Sequence, residues 1–235
     1  LKPIISKDAT VGSFFWLWPL FCFQAGLINS GGFLACHRFV SHITGFGTRI
    51  GAEFINKNIL LGFEMLTIPI GFILGCFVAG YYSEIKDKKF ALPLLMMSGI
   101  LILITIFGSL NYFGPFGEPL ILERDFFLLF LLCFSCGLQN SLLTSITGGI
   151  VRTTHMTGVA TDLGLSLVRC LKKEDPTANT WLKFRLYKIT LFGFGATTGA
   201  LLFNELNYLG FLIPAVMNLI LLYFLNQKIL RAGLL

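Results

Sequence analysis

Val40–Gly51 reads Val-Ser-His-Ile-Thr-Gly-Phe-Gly-Thr-Arg-Ile-Gly, and Thr153–Gly164 reads Thr-Thr-His-Met-Thr-Gly-Val-Ala-Thr-Asp-Leu-Gly. His42, Thr44, Gly45, Thr48 and Gly51 recur in register as His155, Thr157, Gly158, Thr161 and Gly164, 113 residues later. A second matched phrase precedes each copy, Gly26-Leu-Ile-Asn-Ser30 and Gly137-Leu-Gln-Asn-Ser141. Repetition of this kind reads as one domain, 1–235, made of two related halves at about 14–110 and 126–225.

Composition sets the class. Hydrophobic residues make up 55% of the chain and charged ones 13%, with a mean hydropathy of +0.78. Soluble domains carry about 25% charged residues, so this chain has too little polar surface for water and reads as an integral membrane protein. Its net charge of +6 does not indicate nucleic acid, because the cations fall between apolar runs and serve as topology signals. The six cysteines form no disulfide framework. Cys133-x-x-Cys136 sits in mid-span without a second pair, where cysteine acts as a small hydrophobe. The first apolar run is too long for a signal-peptide core and belongs to the repeat.

Six stretches are long enough for a hydrocarbon core that needs about 20 residues. They are roughly Phe14–Cys36, Met65–Ser83, Ala91–Leu110, Phe126–Gly148, Ile189–Phe203 with extensions, and Leu209–Leu225. The first opens on Trp16 and Trp18, suited to an interfacial belt, and Gly71-x-x-x-Gly75 and Gly195-x-x-x-Gly199 suit close helix packing. Thr44–Asn58 and Thr157–Leu171 are helical in pattern but short and charged. If both cross, there are eight spans and parallel halves; if neither does, there are six spans and inverted halves.

The positive-inside rule favours six. That model puts fourteen of the eighteen lysines and arginines on one side and leaves Arg38, Arg49, Lys57 and Arg124 on the other. The predicted fold is therefore an all-α polytopic membrane protein of two inverted three-helix repeats, each with a short broken or re-entrant helix. Both termini are expected on the cytoplasmic side.

The repeated phrases also nominate site residues. Thr44 and Thr157, followed by Gly45 and Gly158, suit a capped helix start that attracts an anion or the polar end of a substrate. His42 and His155 suit proton relay or substrate binding, and equally a satisfied loop histidine at headgroup level. Arg49 and Asp162 occupy equivalent places with opposite charge and are expected to meet near the centre, with Glu53 as a competing partner one turn from Arg49. Asn29, Gln139 and Asn140, with Ser30 and Ser141, put polar groups inside apolar spans as helix glue or a substrate path. Gln24 and Asn218 add single polar points. Three histidines without clustered carboxylates make no metal set, and no cofactor motif is present.

The chain resembles the YoaK-like (DUF1275) family of bacterial inner-membrane proteins. The resemblance rests on Gly26–Ser30, Phe39–Gly45, Gly137–Asn140 and Arg152–Gly158, with departures at Asn29, where many relatives carry aspartate, and Phe46, where asparagine often follows Thr-Gly. It implies location in the bacterial cytoplasmic membrane and names no activity. The function expected from the residues is transport or channelling of a small solute, with membrane lipids as partners, no nucleic acid, and a homo-oligomer left open. The rival readings are a non-transporting scaffold or accessory subunit, and an intramembrane enzyme acting on a lipid or quinone through His155 and Asp162.

Overall fold

The computed structural model describes residues 17–56, 59–85, 90–118, 123–172 and 175–231. Trp16, Lys2, Lys7, Lys57, Lys86, Lys88, Lys89 and Lys173, and the side chains of Lys228 and Arg231, lie outside the described parts.

Hydrocarbon offers the backbone no hydrogen-bond partner, so long apolar runs satisfy their own N–H and C=O groups as helices. Among the described residues these are α1 (Leu17–Cys36), α2 (Ile43–Ile55), α3 (Ile59–Met65), α4 (Thr67–Gly80), α5 (Ala91–Ser109), α6 (Glu123–Ile146), α7 (Met156–Lys172), α8 (Ala178–Leu206) and α9 (Leu212–Arg231). A π-turn, Tyr81–Ile85, extends α4, and a 3-10 turn, Asn207–Phe211, joins α8 to α9. Five stretches are long and apolar enough to cross a membrane: Leu17–Cys36, Ile59–Ile85, Ala91–Ser109, Arg124–Ile146 and Ala178–Phe224. Exposed Ile73, Phe77, Phe194 and Leu201 belong to an apolar exterior that suits lipid. The chain has the make-up of a polytopic all-α membrane protein.

α2 and α7 are different. They have 13 and 17 residues, about 20 and 26 Å at 1.5 Å per residue, against a hydrocarbon core of about 30 Å. Neither is among the stretches suited to crossing. α2 buries only Phe46 and Glu53, and α7 only Val159 and Ser166.

Two glycine crossings organise the long helices. α1 packs on α8, and α6 packs on α4. A Cβ on Gly26 would strike the Phe192 carbonyl oxygen, and one on Gly195 the Phe23 carbonyl oxygen. In the other pair, a Cβ on Gly137 would strike the Phe72 carbonyl oxygen, and one on Gly75 the Phe134 carbonyl oxygen. Backbones this close leave no room for a side chain and gain dense van der Waals contact, the main source of helix association in lipid. Each half thus supplies its first helix to the other half's partner.

Contacts along these helices fix their directions. Trp18 stacks near Phe184, Gly26 meets Ala196, and Gly31 meets Phe203, so α1 and α8 run parallel. Gly71 meets Phe130, Gly80 meets Ser141, and Ser145 donates to Glu84, so α4 and α6 also run parallel. α1 opposes α6. The end of α1 touches the segment leading into α6, where a ring nitrogen of His37 lies 2.6 Å from the Gly117 carbonyl oxygen. Its start packs with Val151, just past the end of α6, in a small cluster of Trp18, Cys22, Val151 and Phe184. The main core, with Phe21, Leu27, Met97, Leu101, Leu129, Phe203 and Phe211 fully buried, lies between.

Candidate functional site

The two His-x-Thr-Gly phrases build the same local device. α2 starts at Ile43 and α7 at Met156, so each threonine is the second helical residue and each glycine the third. This differs from the expected threonine cap. His42 is the N-cap of α2, and its side chain makes no cap hydrogen bond; Thr44 Oγ1 instead lies 2.9 Å from His42 Nε2. In both copies the histidine ring covers the glycine. A Cβ on Gly45 would lie 2.8 Å from His42 Nδ1, and one on Gly158 would lie 2.6 Å from His155 Nε2. The glycine is there because the ring occupies the space of its missing side chain.

Asn29 and Asn140 tie these loops to the helix before them. Ser41 Oγ donates to Asn29 Oδ1 at 2.8 Å, and the Thr154 backbone N–H donates to Asn140 Oδ1 at 3.5 Å. Ser41 and Thr154 are matched positions of the repeat. The two asparagines therefore act as tethers in this conformation.

Each device borders a cavity. The first, of about 340 Å³, is lined by Phe33, His37, Arg38, Phe39, His42, Gly45, Phe46 and Arg49. Phe33 and Phe39 stack at 4.7 Å between centroids, and Phe39 meets the His42 ring edge-on. Burial, and then the like charge of Arg49, lower the Arg38 pKa from the ordinary arginine value.

The second cavity, of about 330 Å³, brings Arg152, His155, Gly158, Asp162, Arg185 and Lys188 together against Ile150, Val159, Trp181 and Phe184. Arg185 lies 3.9 Å from Asp162, donates to Ser166 Oγ, and stands over the Trp181 ring at 5.6 Å. Lys188 is 3% exposed. The first cavity lies at the end of α1 and the second beside its start, at opposite ends of a helix about 30 Å long.

Arg49 and Asp162 do not pair with each other. Arg49 Nε lies 3.8 Å from Glu53 Oε1, the partner one helical turn away, while Asp162 turns to Arg185. The expectation treated equivalent positions as neighbours. Positions related by repetition lie in separate cavities here, so each charge is met within its own half. His155 and Asp162, considered together for enzyme chemistry, do share a cavity, but the carboxylate is engaged with a guanidinium.

Between the cavities lies a polar layer. Gln24 Nε2 donates to Pro214 O and Asn218 Oδ1 at 2.8 and 2.7 Å, and Gln139 Nε2 donates to Phe21 O at 2.9 Å. Gln24 Oε1, Gln139 Oε1, Asn218 Nδ2 and Ser135 Oγ are buried without a hydrogen-bond partner among the described residues. Each such atom costs about 1–3 kcal/mol.

The family model described as a protein of unknown function (DUF1275) matches residues 17–224, from the first residue of α1 into α9. The chain belongs to the DUF1275 family. No curated protein and no solved structure matches it. The DUF1275 match spans both glycine crossings, both cavities and the polar layer between them.

Sequence reasoning missed Arg152, Arg185 and Lys188 as site residues, counting them only as topology signals. A helical pattern was there to be read. Trp181, Phe184, Arg185 and Lys188 follow the i, i+3, i+4, i+7 spacing of a single helix face, so two cations share a stripe with two buried or half-buried aromatics.

Proposed function

We propose that this DUF1275 protein is an inverted-repeat carrier or channel for a small solute, with six spans and one vestibule on each side of the membrane. The 47-residue stretch Ala178–Phe224 would extend about 70 Å as one helix, more than twice the hydrocarbon thickness, and it turns at Asn207, which supports counting α8 and α9 as two spans. The opposed directions of α1 and α6, and the exchange of partners between halves, support an axis in the membrane plane.

Arg152, Arg169, Lys172, Lys183, Arg185 and Lys188 gather toward the second cavity's end, which by the positive-inside rule supports a cytoplasmic reading of that end and of both termini. The resemblance to bacterial inner-membrane proteins supports the bacterial cytoplasmic membrane as the location.

The observation that carries the solute reading is the polar layer. Gln24, Ser135, Gln139 and Asn218 keep unpaired atoms midway between the vestibules, where a scaffold would pack apolar side chains. A passing solute or its water satisfies them. Movement of one half against the other at the glycine crossings opens the layer to each vestibule in turn.

Ser135→Cys tests this. Buried Cys133, two residues away, serves as the internal control. A carrier exposes Cys at 135 to a small hydrophilic thiosulfonate while Cys133 stays unmodified, as read by peptide mass spectrometry. Equal inertness of both favours the sealed scaffold and removes the carrier.

A further inference from the structure

We propose that the second cavity binds a phosphate-type oxyanion through Arg152, Lys188 and Arg185. The inference deepens the carrier reading, since it names the chemistry taken at one vestibule, and it is tested by binding alone.

Three cations line this cavity with a single carboxylate, Asp162. That carboxylate is held to Arg185 and its side chain is 57% exposed, so Arg152 and Lys188 have no ion-pair partner among the described residues. Lys188 carries the argument. It is almost fully buried, lines the cavity, and makes no hydrogen bond or ion pair among the described residues. An ammonium on so buried a side chain, facing the cavity without a partner among the described residues, is poorly solvated, and an anion in the cavity answers it.

The start of α7 adds to the effect. Gly158 lies on the cavity wall in its first turn, where helix N–H groups lack intrahelical acceptors and favour negative charge. Arginine and lysine together supply the fork-shaped and point donors that phosphate oxygens accept. Trp181 and Phe184 leave an apolar wall for the carbon frame of an ester.

Phosphate of this kind has two sources. α8 has 29 residues, about 43 Å, so its first turns stand beyond a hydrocarbon core of about 30 Å, at the level of lipid headgroups and the water above them. The occupant is a lipid phosphate or a free phosphate compound, and the experiment separates them.

Purified full-length protein in non-ionic detergent is titrated with inorganic phosphate by calorimetry. In parallel, protein from nanodiscs of phosphatidylglycerol or phosphatidylcholine is examined for retained lipid by native mass spectrometry. Saturable phosphate binding identifies the free anion; selective retention of phosphatidylglycerol identifies the lipid.

In whichever arm binding occurs, Lys188→Gln and Arg152→Gln each weaken it by about tenfold or more, as loss of a charge-assisted hydrogen bond does. Lys188→Arg retains it and Asp162→Asn tightens it. Lys183→Gln, an exposed cation outside the cavity, leaves it unchanged. Arg152 is exposed, so its variant reports even where the Lys188 variant fails to fold. Absence of binding in both arms overturns the proposal, as does binding indifferent to Lys188 and Arg152. Either result leaves the inverted fold standing, and absence of flux leaves the anion site standing.

Discussion

The two cavities are nearly equal in volume and open beside the same histidine-over-glycine device, yet their walls differ in kind. The first is faced by Phe33, Phe39 and Phe46, and its Arg49 is answered by Glu53 on the same helix. The second holds three cations and one carboxylate, with Lys188 buried among them. A shared backbone device with different linings separates scaffold from chemistry. The positions the two copies share build the wall, and the positions at which they differ decide what the wall faces.

The sharpest break in this comparison would come from the crossings that hold both halves alike. Gly75→Val and Gly195→Val each force a side chain into an opposing carbonyl, where backbone rather than a flexible side chain must move. Both are expected to cost about 3 kcal/mol or more, at or above the upper end of ordinary overpacking, and to abolish a monodisperse peak in fluorescence-detected size exclusion. Tolerance of one and failure of the other would mean that the halves do not share a packing rule.

The linings differ most at Lys188. Lys188→Met replaces a cationic side chain that is almost fully buried with an apolar one of similar length. It is expected to stabilise the anion-free protein by about 1–3 kcal/mol, the cost of an unsatisfied buried polar group, read as a higher melting temperature in detergent. Arg49→Met, which removes the half-exposed partner of the buried Glu53, is expected to destabilise by about 1 kcal/mol, the opposite sign to Lys188→Met. Equal responses would erase the distinction between the cavities.

Much of the fold was legible in sequence, because span lengths and hydropathy are local properties. Each of the six sequence-read stretches falls on its own helix, α1, α4, α5, α6, α8 and α9, and the short charged segments became α2 and α7 within a residue or two at their starts. The 13-residue α2 stops at Ile55, and a further short helix, α3, precedes α4. Site geometry was less accessible. Equivalent numbering suggested that Arg49 and Asp162 meet, whereas antiparallel α1 and α6 carry the two phrases to opposite ends. Which helix would face Asp162 depended on α7 packing against α8, and a charge on α8 looks the same in sequence whether it meets water or a cavity.

A smaller effect tests the device the cavities share. Gly158→Ala pushes against the His155 ring and is expected to cost about 1 kcal/mol, the low end of overpacking, since the ring can swing aside. With His155→Ala already present the same change should turn stabilising by up to about 1 kcal/mol, because alanine is the better helix former. The matched pair, Gly45→Ala with His42→Ala, should behave alike in thermal melts. Additive effects in either half would show that ring and glycine are not coupled there.

The central claim is that matched halves face opposite sides of the membrane, and Thr48 and Thr161 test it most directly. They are equivalent repeat positions, exposed on α2 and α7. Each is changed to Cys in a background with Cys170→Ser, and intact cells are treated with a membrane-impermeant maleimide. The account expects Thr48→Cys to label from outside, and Thr161→Cys to label only after the cells are made permeable. Labelling of both from the same side would contradict it.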